Sequence, residues 1–235
     1  MRILLFIAAS FFIFTPPAFA YPIDGFGLTG IRRLARLQRI LTGEIKDKMP
    51  LPGAQKSIED IKLNLYRTPK GDSLGYLPVA VDPDLQSALD ALFPNLHRSY
   101  SLALLDITPG RKIRYAQRQE LKGFQPGSVG KLAVISGLFC ELENLFPDSF
   151  ELRRELLKKR VVKGGPFAVY DHHTVPFFDP ETNKLVKRQV RESDEFTLYE
   201  WADHMLSVSN NGAASVVWRE AMLMRFFGKK YLTLT

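Results

Sequence analysis

Apolar residues return at helical spacing in several stretches of this chain. In "GIRRLARLQRILTG", Ile31, Leu34, Leu37 or Gln38, and Leu41 share one face, Arg32, Arg33, Arg36 and Arg39 lie elsewhere, and Gly43 closes the helix. A basic amphipathic helix of this kind can lie on a membrane, but its single short face fits packing on the body of the fold better. "PDLQSALDALFPNL" reads as a helix stopped by Pro94. A long apolar helix follows Ser128 in "GSVGKLAVISGLF", and "DSFELRRELLKKRV" gives another with a basic end. "TLYEWADHMLSVSNNGAASVVWREAMLMRFFG" predicts two helices joined at Ser209-Asn210-Asn211, where cap-forming residues interrupt the pattern.

The β signal is clearest in "SYSLALLDITPGRKIRYAQRQE". Ser101 to Asp106 and Lys112 to Gln117 are extended runs separated by a Thr-Pro-Gly turn, which predicts a hairpin. Met49 to Asp84 is rich in proline and glycine and reads as a loop-rich connection with a short strand near Ile61 to Tyr66. Gly164 to Glu192 reads as irregular. No internal repeat or low-complexity segment is visible.

The first twenty residues change the picture of where the chain acts. Arg2, the apolar run Ile3 to Phe14, and Ala18-Phe19-Ala20 form a secretory signal peptide, expected to be cut before Tyr21. The residue directly after the cut is Tyr21 and not a cysteine, so no lipid anchor is expected, and no later apolar run is long enough for a transmembrane segment. An exported protein, periplasmic or extracellular, is the expectation. Its single cysteine, Cys140, cannot form an internal disulfide and is read as a small core hydrophobe.

Composition adds two limits. With 46% hydrophobic residues in 235, the chain can bury a core in one or two units. The net charge of +7 favours peripheral contact with anionic envelope surfaces. Zinc-finger spacing, RNA-binding aromatic signatures and long basic tracts are lacking, which argues against nucleic acid.

Two motifs are decoys. "GFGLTG", Gly25 to Gly30, matches a dinucleotide fingerprint, but what precedes it is a signal peptide and not the strand that fingerprint needs. Asp171-His172-His173 carries ligand types for zinc, but no further ligands stand at helical spacing, so locally hydrogen-bonded or solvated histidines are expected and no metal.

Ser128-x-x-Lys131 is more specific. Three residues apart on a helix, the amine can reach the hydroxyl. A lysine withdrawn from water at the positive end of a helix tends to lose its proton, and a neutral amine can accept one from serine. The plain alternative is a capping serine beside a surface lysine. Ser209-Asn210-Asn211, further along the chain, offers a hydroxyl and two amides that could relay a proton or hold a carbonyl; its plain alternative is also a helix cap.

Taken together, Ser128-Val129-Gly130-Lys131 and Ser209-Asn210-Asn211 resemble the S-x-x-K and S-D-N motifs of the serine β-lactamase and penicillin-binding-protein superfamily, closest to the class A β-lactamase catalytic domain. The second motif carries asparagine where class A enzymes commonly have aspartate. The resemblance covers Ser101 to about Trp218, with a longer spacer between the motifs than is usual in class A. It implies Ser128 as the acylated nucleophile, Lys131 as its proton acceptor, Ser209 as proton shuttle and Asn211 as a substrate-binding residue. The Ser128 backbone amide would form half of an oxyanion hole.

The resemblance further implies an α+β, β-lactamase/transpeptidase-like fold with an antiparallel sheet lobe and an all-helical lobe, working without cofactor or metal. Residues 21–99 are expected as a helical and loop-rich extension and 100–235 as the N-terminal part of the catalytic domain. No K-T-G or K-S-G follows Asn211 before Thr235, so the sheet is expected to be incomplete and the chain truncated. The expected function is β-lactam hydrolysis. A D-alanyl-D-alanine peptidase or transpeptidase acting on peptidoglycan peptide, or a non-catalytic wall-binding remnant, are the alternatives.

Overall fold

A computed structural model describes residues 21–22, 25–48, 55–56, 80–93, 95–108 and 110–234. The signal peptide, the strand expected near Ile61 to Tyr66, and Pro94 lie outside them. In chain order the elements are β1 (Tyr21–Pro22), α1 (Gly25–Thr29), α2 (Arg32–Leu41), β2 (Gln55–Lys56), α3 (Pro83–Asp90), β3 (Leu102–Asp106) and β4 (Arg114–Arg118). They continue with α4 (Gly130–Leu145), α5 (Phe150–Lys159), β5 (Val161–Lys163), β6 (Val175–Asp179), β7 (Lys184–Arg188), β8 (Glu195–Thr197), α6 (Leu198–Ser207) and α7 (Asn211–Phe227). The fold is α+β, and its strands form two-stranded pairs.

The chain divides into two compact units, one of residues 1–62 with 128–235 and one of residues 63–127. They cut across the linear division expected between residues 99 and 100, because the segment from α1 to α2 packs with the C-terminal helices. In the smaller unit the hairpin forms as expected, with β3 antiparallel to β4 and Leu104 opposite Ala116. Asp82 caps α3 by accepting the Leu85 N–H at 2.9 Å, and Pro83 supplies a preset first-turn φ. The Gln86 side chain ties α3 to β4 through both the N–H and the carbonyl of Gln117.

The core of the larger unit is a packing of α4, α6 and α7. On α4 the buried residues are Lys131, Ile135, Leu138, Leu142 and Leu145, a stripe spaced four and three residues apart. Cys140 falls off that stripe and is exposed, so its reading as a core residue is corrected. The stripe meets Trp201 and Met205 of α6 and Val216, Val217 and Met224 of α7. Trp201 is fully buried, stacks edge-on against Phe196 at 4.9 Å and donates its indole N–H to the Val162 carbonyl at 2.9 Å.

Helix α2 docks by charge as well as by Leu34, Ala35 and Ile40. Arg32 grips the buried Glu200 carboxylate with two bonds of 2.7 Å, and Arg33 holds Asp203 at 2.5 Å. Arg32 and Arg33 therefore serve α6, while Arg39 reaches the Pro180 carbonyl and Asn183, consistent with the packed reading. No helix among the described residues is long and apolar enough to cross a membrane.

Gly164 to Glu192, expected to be irregular, contains the antiparallel hairpin β6–β7, with Phe177 opposite Val186. Alternation is short there, and the turn residues between Asp179 and Lys184 carry the signal that the periodicity lacks. β5 pairs with β8 in a second short antiparallel sheet. The helical part is thus not all-helical.

His204 is buried with no hydrogen-bond partner for either ring nitrogen among the described residues. Burial lowers its pKa to about 4, against a weaker opposing pull from Asp203 and Glu200. The native state therefore binds fewer protons than the unfolded chain between about pH 4 and 6.5. Stability from this residue is complete above that window and falls as pH drops through it, by about 3 kcal/mol over the whole interval. Urea unfolding at pH 7.5 and pH 5 should show a smaller acid loss for His204→Leu than for the wild type; equal losses would remove His204 as the cause.

Candidate functional site

Ser128 enters the structure through a glycine. Gly127 has φ +54°, a left-handed conformation that a β-carbon disfavours, and it turns the chain into a 3-10 turn spanning Gly127–Val129. The α-helix begins only at Gly130, and no side chain caps it. The Ser128 hydroxyl is thus not the cap that a serine at a helix start ordinarily provides. It faces Lys131 and Ser209 instead.

Lys131 is the first member of the buried α4 stripe and is only 8% exposed. The aliphatic stem continues the apolar face, and the amine emerges at the point where α4 meets the start of α7. Its Nζ lies 2.6 Å from Asn211 Oδ1, 3.2 Å from Ser128 Oγ and 3.3 Å from Ser209 Oγ. Ser209 Oγ lies 2.7 Å from Ser128 Oγ. Three oxygens surround one nitrogen, which leaves no need for water to satisfy it.

The Ser209-Asn210-Asn211 turn divides its duties. Asn210 is the cap of α7: its Oδ1 accepts the Ala213 N–H at 2.7 Å, and its Nδ2 donates to the His173 carbonyl at 3.0 Å. Freed from capping, the Ser209 and Asn211 side chains both point to Lys131. Ser209 has φ +61°, a conformation that costs a non-glycine residue about 1 kcal/mol and is typical of strained functional turns. All four residues singled out in the sequence, Ser128, Lys131, Ser209 and Asn211, come together.

A residue not expected at this place joins them. Asp171 Oδ2 accepts the Asn211 backbone N–H at 2.5 Å, while Oδ1 accepts from the His173 ring at 2.8 Å. Burial pushes the Asp171 carboxyl up, but the Asn211 amide and the His173 ring outweigh it and hold the pKa below the usual range. Asp171, His172 and His173 have their ligand atoms within 4.8 Å of one another, the spacing a metal would need. Both Asp171 oxygens are engaged within the protein, and His173 is locally hydrogen-bonded as expected. No sequence signal links Asp171 to Asn211, because the two stand 40 positions apart.

"GFGLTG" is the short helix α1, closed by Gly30, so its glycines build a helical turn and not a phosphate loop. Chemically, the Ser128 cluster can move a proton from a hydroxyl to an amine and onward through a second hydroxyl. No family model, curated protein or solved structure matches this chain.

Proposed function

We propose that this chain is a serine hydrolase of the β-lactamase and penicillin-binding type, acylated at Ser128 by a β-lactam carbonyl. The observation that carries the reading is the contact of one buried amine, Lys131 Nζ, with Ser128 Oγ, Ser209 Oγ and Asn211 Oδ1. A structural cap or a surface lysine needs none of these contacts. The S-x-x-K and S-N-N motifs and the α+β architecture support the same reading.

In this mechanism Lys131 Nζ takes the Ser128 proton as Oγ attacks the carbonyl carbon. The resulting oxyanion is met by the Ser128 backbone N–H at the open first turn, where helix amides lack partners. Collapse of the tetrahedral intermediate breaks the C–N bond. The proton passes from Lys131 through Ser209 Oγ to the leaving nitrogen, its first step along the 3.3 Å contact between Lys131 Nζ and Ser209 Oγ. Asn211 gives its Oδ1 to Lys131, which leaves its amide N–H groups to hold the substrate's side-chain carbonyl. Attack of water on the ester then frees Ser128.

Incubation with a fluorescent penicillin followed by a denaturing gel tests this reading. A labelled band is expected for the wild type and none for Ser128→Ala. Equal labelling of the two would overturn the nucleophile. A label that disappears on standing identifies a lactamase; one that persists points to a peptidase acting on peptidoglycan, with the same acylation chemistry.

A further inference from the structure

The segment 169–173 holds the start of α7 more tightly than a helix end requires. Asn210 already caps α7 through the Ala213 N–H, yet Asp171 takes a second first-turn amide, that of Asn211. The Asn210 side chain is tied back to the His173 carbonyl. Gly212 lets the same segment approach: a β-carbon there would lie 2.8 Å from the Val169 carbonyl oxygen and 2.7 Å from Val190 Cγ2. Three consecutive residues, 210 to 212, are therefore fixed by one loop. The next residue back is Ser209 in its left-handed conformation, and the Asn211 side chain is the shortest contact of Lys131 Nζ.

We infer that Asp171 is a positioning residue for the catalytic cluster, fixing the Asn211 backbone so that the Asn211 and Ser209 side chains meet Lys131. The inference rests on the hydrolase reading above and adds to it a residue that touches neither substrate nor nucleophile. The Asp171 side chain is 1% exposed: Oδ2 is held by the Asn211 amide, and Oδ1 faces the His173 ring at 2.8 Å and the His172 ring at 3.4 Å. A charged acceptor on a backbone N–H makes a stronger and better-directed bond than a neutral one. Loosening that bond would let Ser209 relax out of its left-handed conformation and carry Asn211 away from the amine. A displacement of this size in a reacting group is enough to slow the chemistry strongly.

A double-mutant cycle on acylation by fluorescent penicillin tests this. Asp171→Asn is expected to slow acylation by about tenfold to a hundredfold, as a misplaced reacting group does. In the Asn211→Ala background the same change should have a clearly smaller effect, because the backbone N–H is retained and only the share acting through Ser209 remains. A merely structural role would instead give effects that multiply, and that result would overturn the inference. Should Asp171→Asn fail to fold, Asp171→Ser, which leaves room for water beside the amide, serves the same comparison.

Hydrogen exchange of the Asn211 backbone amide gives a readout independent of activity. It should be slow in the wild type and fast in Asp171→Asn; a fast-exchanging wild-type amide overturns the positioning role. Absence of Ser128-dependent labelling in the wild type defeats the hydrolase reading on its own, and the exchange measurement still decides whether Asp171 holds the start of α7.

Discussion

Replacing Lys131 with methionine is expected to slow acylation of Ser128 by about 10²–10⁴-fold, the range that a positioned general base supplies, without loss of thermal stability. On the proposed mechanism the two effects separate, because the amine serves proton transfer while the stem alone serves packing. Its stem lies at the head of the α4 stripe that continues with Ile135 and Leu138, a position where an unbranched thioether of similar length fits. Holding an amine in a mostly water-free place costs stability unless its partners compensate, and methionine removes that cost. Asn211 is exposed, so water can take over the Oδ1 that Lys131 leaves. The melting temperature should stay level or rise while the labelling rate falls, the exchange of stability for function expected where a polar group is buried to do work. Time courses of penicillin labelling and a thermal melt on the same preparations check both parts. A labelling rate within about threefold of the wild type would be far too small for a lost general base and would leave Ser128 activated by something else.

Trp201→Ala is expected to cost about 3–5 kcal/mol, a large part of the about 5–15 kcal/mol that typically separates native from unfolded. Trp201 is completely buried at the meeting of α6, β5 and β8, with Phe196 against its face and the Val162 carbonyl on its indole N–H. Truncation opens a cavity that these elements cannot close without breaking the β5–β8 pairing. The same residue bounds Gly164, where an added β-carbon would come within 3.4 Å of the indole ring. Trp201→Phe keeps most of the volume and loses only the donor, so a smaller loss of about 1–3 kcal/mol is expected from the unpartnered carbonyl. Urea unfolding of the three proteins should rank them wild type, phenylalanine, alanine. A loss below about 1 kcal/mol for the alanine variant would be out of range for a sealed aromatic and would place Trp201 at a yielding boundary.

Much of the candidate site was legible because it rests on local rules. Serine and lysine three apart at a helix start share a face whatever the rest of the chain does. Lys131 also begins the spacing that Ile135, Leu138 and Leu142 continue, which is a sequence-level sign of burial. The same spacing places Cys140 off the stripe, on the exposed side of the helix. The β6–β7 hairpin is not legible in the sequence because the adjacent aromatics Phe177 and Phe178 interrupt the alternation of β6.

By itself the sequence determined the helices, the β3–β4 hairpin and the pairing of Ser128 with Lys131, since each depends on periodicity or on contacts within a turn. Only the tertiary structure decided that Ser128 and Ser209 leave capping to other residues or to none, that Asp171 reaches Asn211, and that Arg32 and Arg33 of α2 bind α6. Those contacts join segments from 40 to 170 positions apart. Nothing in local preference encodes them, because a side chain far along the chain becomes a neighbour only when burial of the apolar stripes brings the elements together.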